Sequence, residues 1–170
     1  MFLRNIFFLF IIFGIILKGD GRMKKKIFVI SFFIFIIDLI LKQLVMNFID
    51  YNSINTIIPD FFYLTYVKNT GGAWSILSGN IYLLLLISLM FLTYLIYYLN
   101  KKSIFSKLEF ISYSLLIGGL IGNLFDRIVY SGVIDYIGFI LINYNFPVFN
   151  LADICIVISV FMLLYIEFRK

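Results

Sequence analysis

The chain has 170 residues, of which 63% are hydrophobic and only 14% charged, with a formal net charge of +5. A soluble domain is about 45–50% apolar, so this composition excludes an ordinary water-facing surface and makes the bilayer the main solvent. With no His and a single Cys, the HExxH zinc motif, His-based triads and an intrachain disulfide framework are excluded as well. Hydrolytic chemistry is left to Asp, Glu, Lys, Ser, Tyr or Cys155.

Residues 1–22 carry a short apolar run, Ile6–Leu17, below the roughly 20 residues needed to span the hydrocarbon core. Its charged start resembles a signal peptide, but Lys18-Gly-Asp-Gly-Arg22 offers no small-x-small cleavage site. We read residues 1–22 as an N-terminal extension or a mis-set start, with a segment lying on the membrane surface as the alternative. Met23 and Lys24–Lys26 then lead into a single membrane domain over residues 23–170.

The first predicted span covers about residues 27–45. Asp38 and Lys42 within it are spaced i,i+4 and share one helix face. They form either a simple intrahelical ion pair or part of a site. In the connection over residues 46–80, the aromatic and β-branched stretch Phe61–Val67 reads as a strand. The turn Lys68–Ser75 that follows has two consecutive glycines. The second span, about 81–99, is almost purely apolar and carries no chemistry of its own.

The third span, about 110–129, holds Gly118, Gly119 and Gly122, small residues that let helices approach closely. Asn123, Asp126 and Arg127 fall in its last two turns. Asp135 lies in the next connection, after a turn at Ser131-Gly132. Pro147 precedes the fourth span, about 150–168, which opens with Asn150 and Asp153.

Lys24–Lys26, Lys101, Lys102, Lys107, Arg169 and Lys170 all fall on one side of a four-span topology. The positive-inside rule assigns that side, with both termini, to the cytoplasm. The basic residues sit beside apolar segments as topology signals, so no nucleic-acid partner is implied. Asp126 at the outer end of span 3 and Asp153 at the outer end of span 4 then lie at one depth. Two close carboxylates in low dielectric share a proton, which permits peptide hydrolysis without metal or covalent intermediate. The alternatives at this point are a helix-capping role for Asp153 and an interfacial charge pair for Asp126 with Arg127. A Ser75–Lys68 hydrolase, a reactive Cys155 and a dicarboxylate Mg²⁺ site have weaker support, as does a transporter relay through Asp38, Lys42 and Asp126.

Five stretches, in order, resemble the lipoprotein signal peptidase family (signal peptidase II, prolipoprotein signal peptidase): DLILK at Asp38–Lys42, NTGGAWS at Asn69–Ser75, GNLFDR at Gly122–Arg127, VID at Val133–Asp135 and FNLAD at Phe149–Asp153. The resemblance implies an all-α integral membrane protein of four transmembrane helices with a small extracytoplasmic β-cradle. It further implies an aspartic endopeptidase of the bacterial cytoplasmic (inner) membrane, acting at the extracytoplasmic face. Such an enzyme cleaves a diacylglyceryl-prolipoprotein just before the lipidated Cys, as a monomer among membrane lipids, with no metal and no cofactor. On this resemblance the catalytic pair is Asp126 and Asp153. Asn123, Arg127, Asn150, Asn69, Asp38, Lys42 and Asp135 bind substrate or support the site. The chain departs from the family pattern at Gly72, Trp74 and Tyr136, where Ala, Phe and Phe are usual.

Overall fold

The structure is a computed structural model that describes residues 22–72, 74, 76–142 and 144–169. Residues 1–21 of the extension read at 1–22, the turn residue Ser75 and the terminal Lys170 lie outside the described residues. Four helices are long and apolar enough to cross a membrane: α1 (Arg22–Phe48), α2 (Ile81–Lys101), α3 (Lys107–Tyr130) and α4 (Leu151–Phe168). The first three contain the spans expected for them and run a few residues further at one or both ends, and α4 begins one residue later than expected, after its Asn150 cap. At 1.5 Å per residue, even α4 is about 27 Å long, close to the hydrocarbon thickness of a bilayer.

The connections hold the small β-structure that the resemblance implied. Strands β1 (Ile54–Ile58), β2 (Phe62–Asn69), β3 (Val133–Leu141) and β4 (Tyr144–Asn145) form one antiparallel sheet in the order β1-β2-β3-β4. The strand expected at Phe61–Val67 is present as β2. The connection after α3, which we read only as a turn and loop, contains the nine-residue β3. The architecture is therefore four helices plus a four-stranded sheet at one end.

Helix α3 is the centre of the bundle and packs against α1, α2 and α4. Its buried residues surround it, whereas α2 and α4 leave broad apolar faces exposed, including Tyr82, Met90 and Tyr94 on α2 and Val157, Phe161 and Phe168 on α4. That is the pattern of helices whose outer faces meet lipid rather than water. The core proper lies between α1, α2 and α3 and includes Phe28, Phe35, Leu95, Leu99, Ile117, Ile121 and Phe125.

Both ends of α3 are fixed by local chemistry. Ser106 and Glu109 form a capping box at the start, and Lys102 Nζ lies 2.7 Å from Glu109 Oε1. Ser131, in the left-handed region with φ 55°, ends it. The last helix starts on a second capping box, in which Asn150 Oδ1 accepts from Asp153 N–H at 2.9 Å and Asp153 Oδ2 accepts from Asn150 N–H at 3.2 Å. Two glycines set how near α3 lies to its neighbours. A Cβ on Gly119 would sit 2.5 Å from the Ala152 carbonyl oxygen, and one on Gly122 would sit 2.5 Å from Asp38 Oδ2. Only hydrogen at these positions lets α4 and the Asp38 carboxylate come so close.

Charge separates the two ends. Lys102, Lys107 and the Lys24 ammonium, which donates to the Asn100 carbonyl at 2.6 Å, mark the end away from the sheet. The sheet end carries the polar residues of the site.

Candidate active site

Three segments converge below the sheet: the second half of α1, the last two turns of α3, and the start of α4. Strand β3 is fastened over them at several points. Asp126 Oδ2 accepts from the Ile134 N–H at 3.0 Å. Phe149, the residue before the α4 cap, accepts from the N–H groups of Tyr136 and Ile137 at 3.0 and 2.8 Å and donates back to the Ile137 carbonyl at 3.0 Å. On the other side, β2 pairs with β3 so that Val67 faces Asp135 and Asn69 faces Val133. The strand therefore cannot slip without breaking contacts to both helices and to β2, and Asp135 is carried to the α4 N-terminus.

A cavity of about 770 Å³ opens at this junction. Its polar wall includes Lys68, Asn69, Asn123, Arg127, Asp135 and Asp153, and its apolar wall includes Trp74, Phe146, Phe149, Ile154 and Val157. Val157 and Ile158, which also line it, are half exposed on the outer face of α4. The cavity thus runs from two carboxylates to a helix side that meets lipid.

Asparagine amides order the two carboxylates. Asn123 Nδ2 donates to Asp153 Oδ1 at 2.7 Å. Asn150 Nδ2 donates to Asp135 Oδ1 at 2.7 Å and also lies 3.2 Å from Asn123 Oδ1. Asn69 Nδ2 donates to Asp135 Oδ2 at 3.1 Å, while its Oδ1 accepts from the Gly71 N–H at 2.8 Å. The glycine turn is tied to the site in this way. Arg127 reaches the carbonyls of Asn123 at 3.3 Å and Gly71 at 3.4 Å, bridging α3 to the same turn.

Asp135 is 2% exposed. Burial, and after it the charge of Asp153, push its carboxyl up to about 7, against the opposing hydrogen bonds from Asn69 and Asn150. A carboxyl that keeps its proton near neutrality beside a second carboxylate is the electrostatic signature of a proton-sharing pair.

The sequence expectation placed Asp126, not Asp135, opposite Asp153. In the structure Asp126 is 1% exposed and is not part of the cavity wall. Its Oδ2 lies 2.8 Å from Lys42 Nζ and holds the Ile134 N–H. The i,i+3 step from Asn123 moves the side chain round α3 towards α1, where a buried ammonium takes it up. Asp135, expected as a supporting residue, stands in the cavity with Asp153.

The other expected site residues all gather here. Asp38 and Lys42 form an ion pair of 2.7 Å with both side chains buried, and it belongs to the site network, because Lys42 also reaches Asp126 and Asn123. Asp153 fills the capping role and the cavity role together. Sequence reasoning missed Tyr136, whose hydroxyl accepts from the Leu151 N–H in the first turn of α4 at 3.3 Å. Burial pushes this phenol up to about 12. The available signal for Tyr136 was weak, the β-branched residues Val133, Ile134 and Ile137 around it after the turn. Among the described residues no group of His, Cys, Asp and Glu is arranged to hold a metal ion.

Residues 30–169 match the family described as Signal peptidase (SPase) II, peptidase A8. A protein of Bacillus subtilis (strain 168) named lipoprotein signal peptidase is 36% identical over 140 residues, spanning 82% of this chain and 90% of that one. Two solved structures of a bacterial membrane enzyme, obtained by the in meso method at 2.3 and 1.9 Å resolution, are each 29% identical. They superpose with TM-scores of 0.78 and 0.76, covering 85% of this chain and 88% and 94% of theirs.

Proposed function

Because the chain belongs to the signal peptidase II family, we propose that it hydrolyses its substrate through the carboxyl pair Asp135 and Asp153. The chain removes signal peptides from prolipoproteins as a multi-pass membrane protein. The observation that carries the assignment of the pair is the cavity wall itself, where these two carboxyls stand together and Asp126 does not.

The chemistry follows from the partners of each group. Asp153 accepts two N–H donors at a helix N-terminus, an environment that suits an anion, and serves as the base. It takes a proton from water as the water oxygen bonds to the scissile carbonyl carbon. Asp135 gives its proton to the carbonyl oxygen. The resulting gem-diol collapses as Asp135 takes back a proton from one of its hydroxyls, Asp153 passes its proton to the leaving nitrogen and the C–N bond breaks. The donors on Asn69, Asn123 and Asn150 hold both carboxyls in fixed orientation, so little reorganisation is needed in the transition state.

The shape of the cavity supports cleavage just before a lipidated Cys. Its polar end holds the carboxyls, and its apolar side opens at Val157 and Ile158, where an acyl chain can remain in the bilayer. The clustering of Lys102, Lys107 and Lys24–Lys26 away from the sheet supports a cytoplasmic location for that end and an extracytoplasmic site in the bacterial inner membrane. Purified protein in lipid vesicles, given a prolipoprotein with and without its diacylglyceryl group, tests this. Mass spectrometry is expected to show a mature form beginning at the lipidated Cys, formed only from the lipidated substrate. Equal cleavage of both substrates, or cleavage elsewhere, would remove the lipid-dependent reading.

A further inference from the structure

Lys42 takes no part in the chemistry above, yet it is 0% exposed and held among Asp38, Asp126 and Asn123. Its Nζ lies 2.7 Å from Asp38 Oδ2, 2.8 Å from Asp126 Oδ2 and 3.2 Å from Asn123 Oδ1. An ammonium has three donors and no acceptor capacity, so three partners use it fully.

Each partner has a second task. Asp126 Oδ2 holds the N–H of Ile134, the residue immediately before Asp135. Asp38 Oδ1 holds the N–H of Ala152, the residue immediately before Asp153, at 3.0 Å. One cation on α1 therefore joins two carboxylates, and each fixes the backbone one step ahead of one member of the pair. The third partner sets the direction of an amide. Asn123 Oδ1 turns towards Lys42 and Asn150 Nδ2, so its Nδ2 is the end presented to Asp153. A group able to accept at the Lys42 position would let that amide turn over and present oxygen to a carboxylate.

From this convergence we propose that Lys42 is the positioning residue of the carboxyl pair, setting the backbone before both aspartates and the donor face of Asn123. The proposal rests on Asp135 and Asp153 being the reacting carboxyls. It gives the buried Asp38–Lys42–Asp126 cluster a task beyond stability, which a hydrophobic replacement could supply equally well.

The test compares the wild type, Lys42→Met and the double variant Lys42→Met/Asp126→Asn, as the full chain in lipid vesicles with a diacylglyceryl-prolipoprotein. The single variant leaves two buried carboxylates uncompensated and is prone to misfold. The double variant removes one charge of each sign and keeps an oxygen to accept from Ile134. For folded double variant, judged by its thermal unfolding midpoint, kcat is expected to fall ~10–100-fold with KM little changed. Its alkaline limb should also move to higher pH. Asp135 faces the charges of Lys42 on α1, Arg127 on α3 and Asp153 on α4, and the ammonium favours its ionised form.

Wild-type kcat and pH profile in the folded double variant would overturn the proposal. So would a loss of rate that only tracks the loss of folded protein, with an unmoved pH limb. Should Asp135→Asn be inactive while the double variant is fully active, only the role of Lys42 falls. Should Asp135→Asn be active, the carboxyl assignment falls first.

Discussion

Asn150 Nδ2 donates to Asp135 Oδ1 at 2.7 Å, joining the first residue of the α4 cap to strand β3. The same residue accepts from the Asp153 N–H and donates its own N–H to Asp153 Oδ2, so both carboxyls are referenced to one asparagine. Asn150→Ala is expected to lose about 1 kcal/mol from the missing cap and to slow processing ~10–100-fold. Asn150→Ser restores a capping oxygen but not the amide donor. It should recover part of the unfolding midpoint and none of the rate. Recovery of both would reduce Asn150 to a cap.

The pH dependence of stability follows from Asp135. Its carboxyl is raised to about 7 in the folded chain, against about 3.9 when unfolded. The folded state therefore holds the proton more tightly. The associated stabilisation is fully present below the unfolded value and is lost as pH rises through about 7. Unfolding midpoints in detergent should fall between about pH 5 and 8, and Asp135→Asn should flatten that slope. Activity should fall on the alkaline side over the same range, as the proton donor is lost. A midpoint that rises with pH in this range, with the slope unchanged in Asp135→Asn, would place the titration elsewhere.

Gly119 fixes the approach of α3 to α4. A methyl there would meet the Ala152 carbonyl oxygen at 2.5 Å, and backbone cannot swing aside as a side chain can. Gly119→Ala should cost about 1–3 kcal/mol and reduce the rate, since Ala152 precedes Asp153. An unchanged unfolding midpoint would show that the helices are not closely packed at this point.

Tyr136 ties strand β3 to the first turn of α4. Its hydroxyl accepts from the Leu151 N–H, one of the orphan donors at the α4 N-terminus. Tyr136→Phe removes that acceptor and should lower stability by about 1 kcal/mol, with the rate falling far less than in Asn150→Ala. Differential scanning measurements on the two variants separate a helix-end contact from a catalytic one.

Much of this was legible in the sequence because membrane spans obey a length and composition rule that needs no tertiary information. The four helices, the glycine-mediated approach of α3 and the gathering of Asn123, Asp126, Arg127, Asn150 and Asp153 at one end all followed from that rule and from topology. What it could not decide was which carboxylate each cation takes. Asp126 and Asp135 are both at the right depth for Asp153. The choice depends on Lys42, which reaches from α1 to Asp126, and on β3 folding back across α4 through the Phe149 bridge. Neither contact has a local sequence period. The strand itself was weakly marked, because Val133–Leu141 is buried along its first half and lacks the alternation of a half-exposed strand.

The central claim is that Asp135, and not Asp126, is the partner of Asp153. The most direct measurement is the single-turnover cleavage rate of a diacylglyceryl-prolipoprotein by Asp135→Asn and Asp126→Asn, each verified as folded by its unfolding midpoint. Asp135→Asn is expected to lose about 10²–10⁴-fold, the scale of a missing proton-transfer group. Asp126→Asn keeps an oxygen for the Ile134 N–H and should retain measurable cleavage well above that level. Wild-type cleavage by folded Asp135→Asn, with none by Asp126→Asn, would contradict the assignment and return the catalytic role to Asp126.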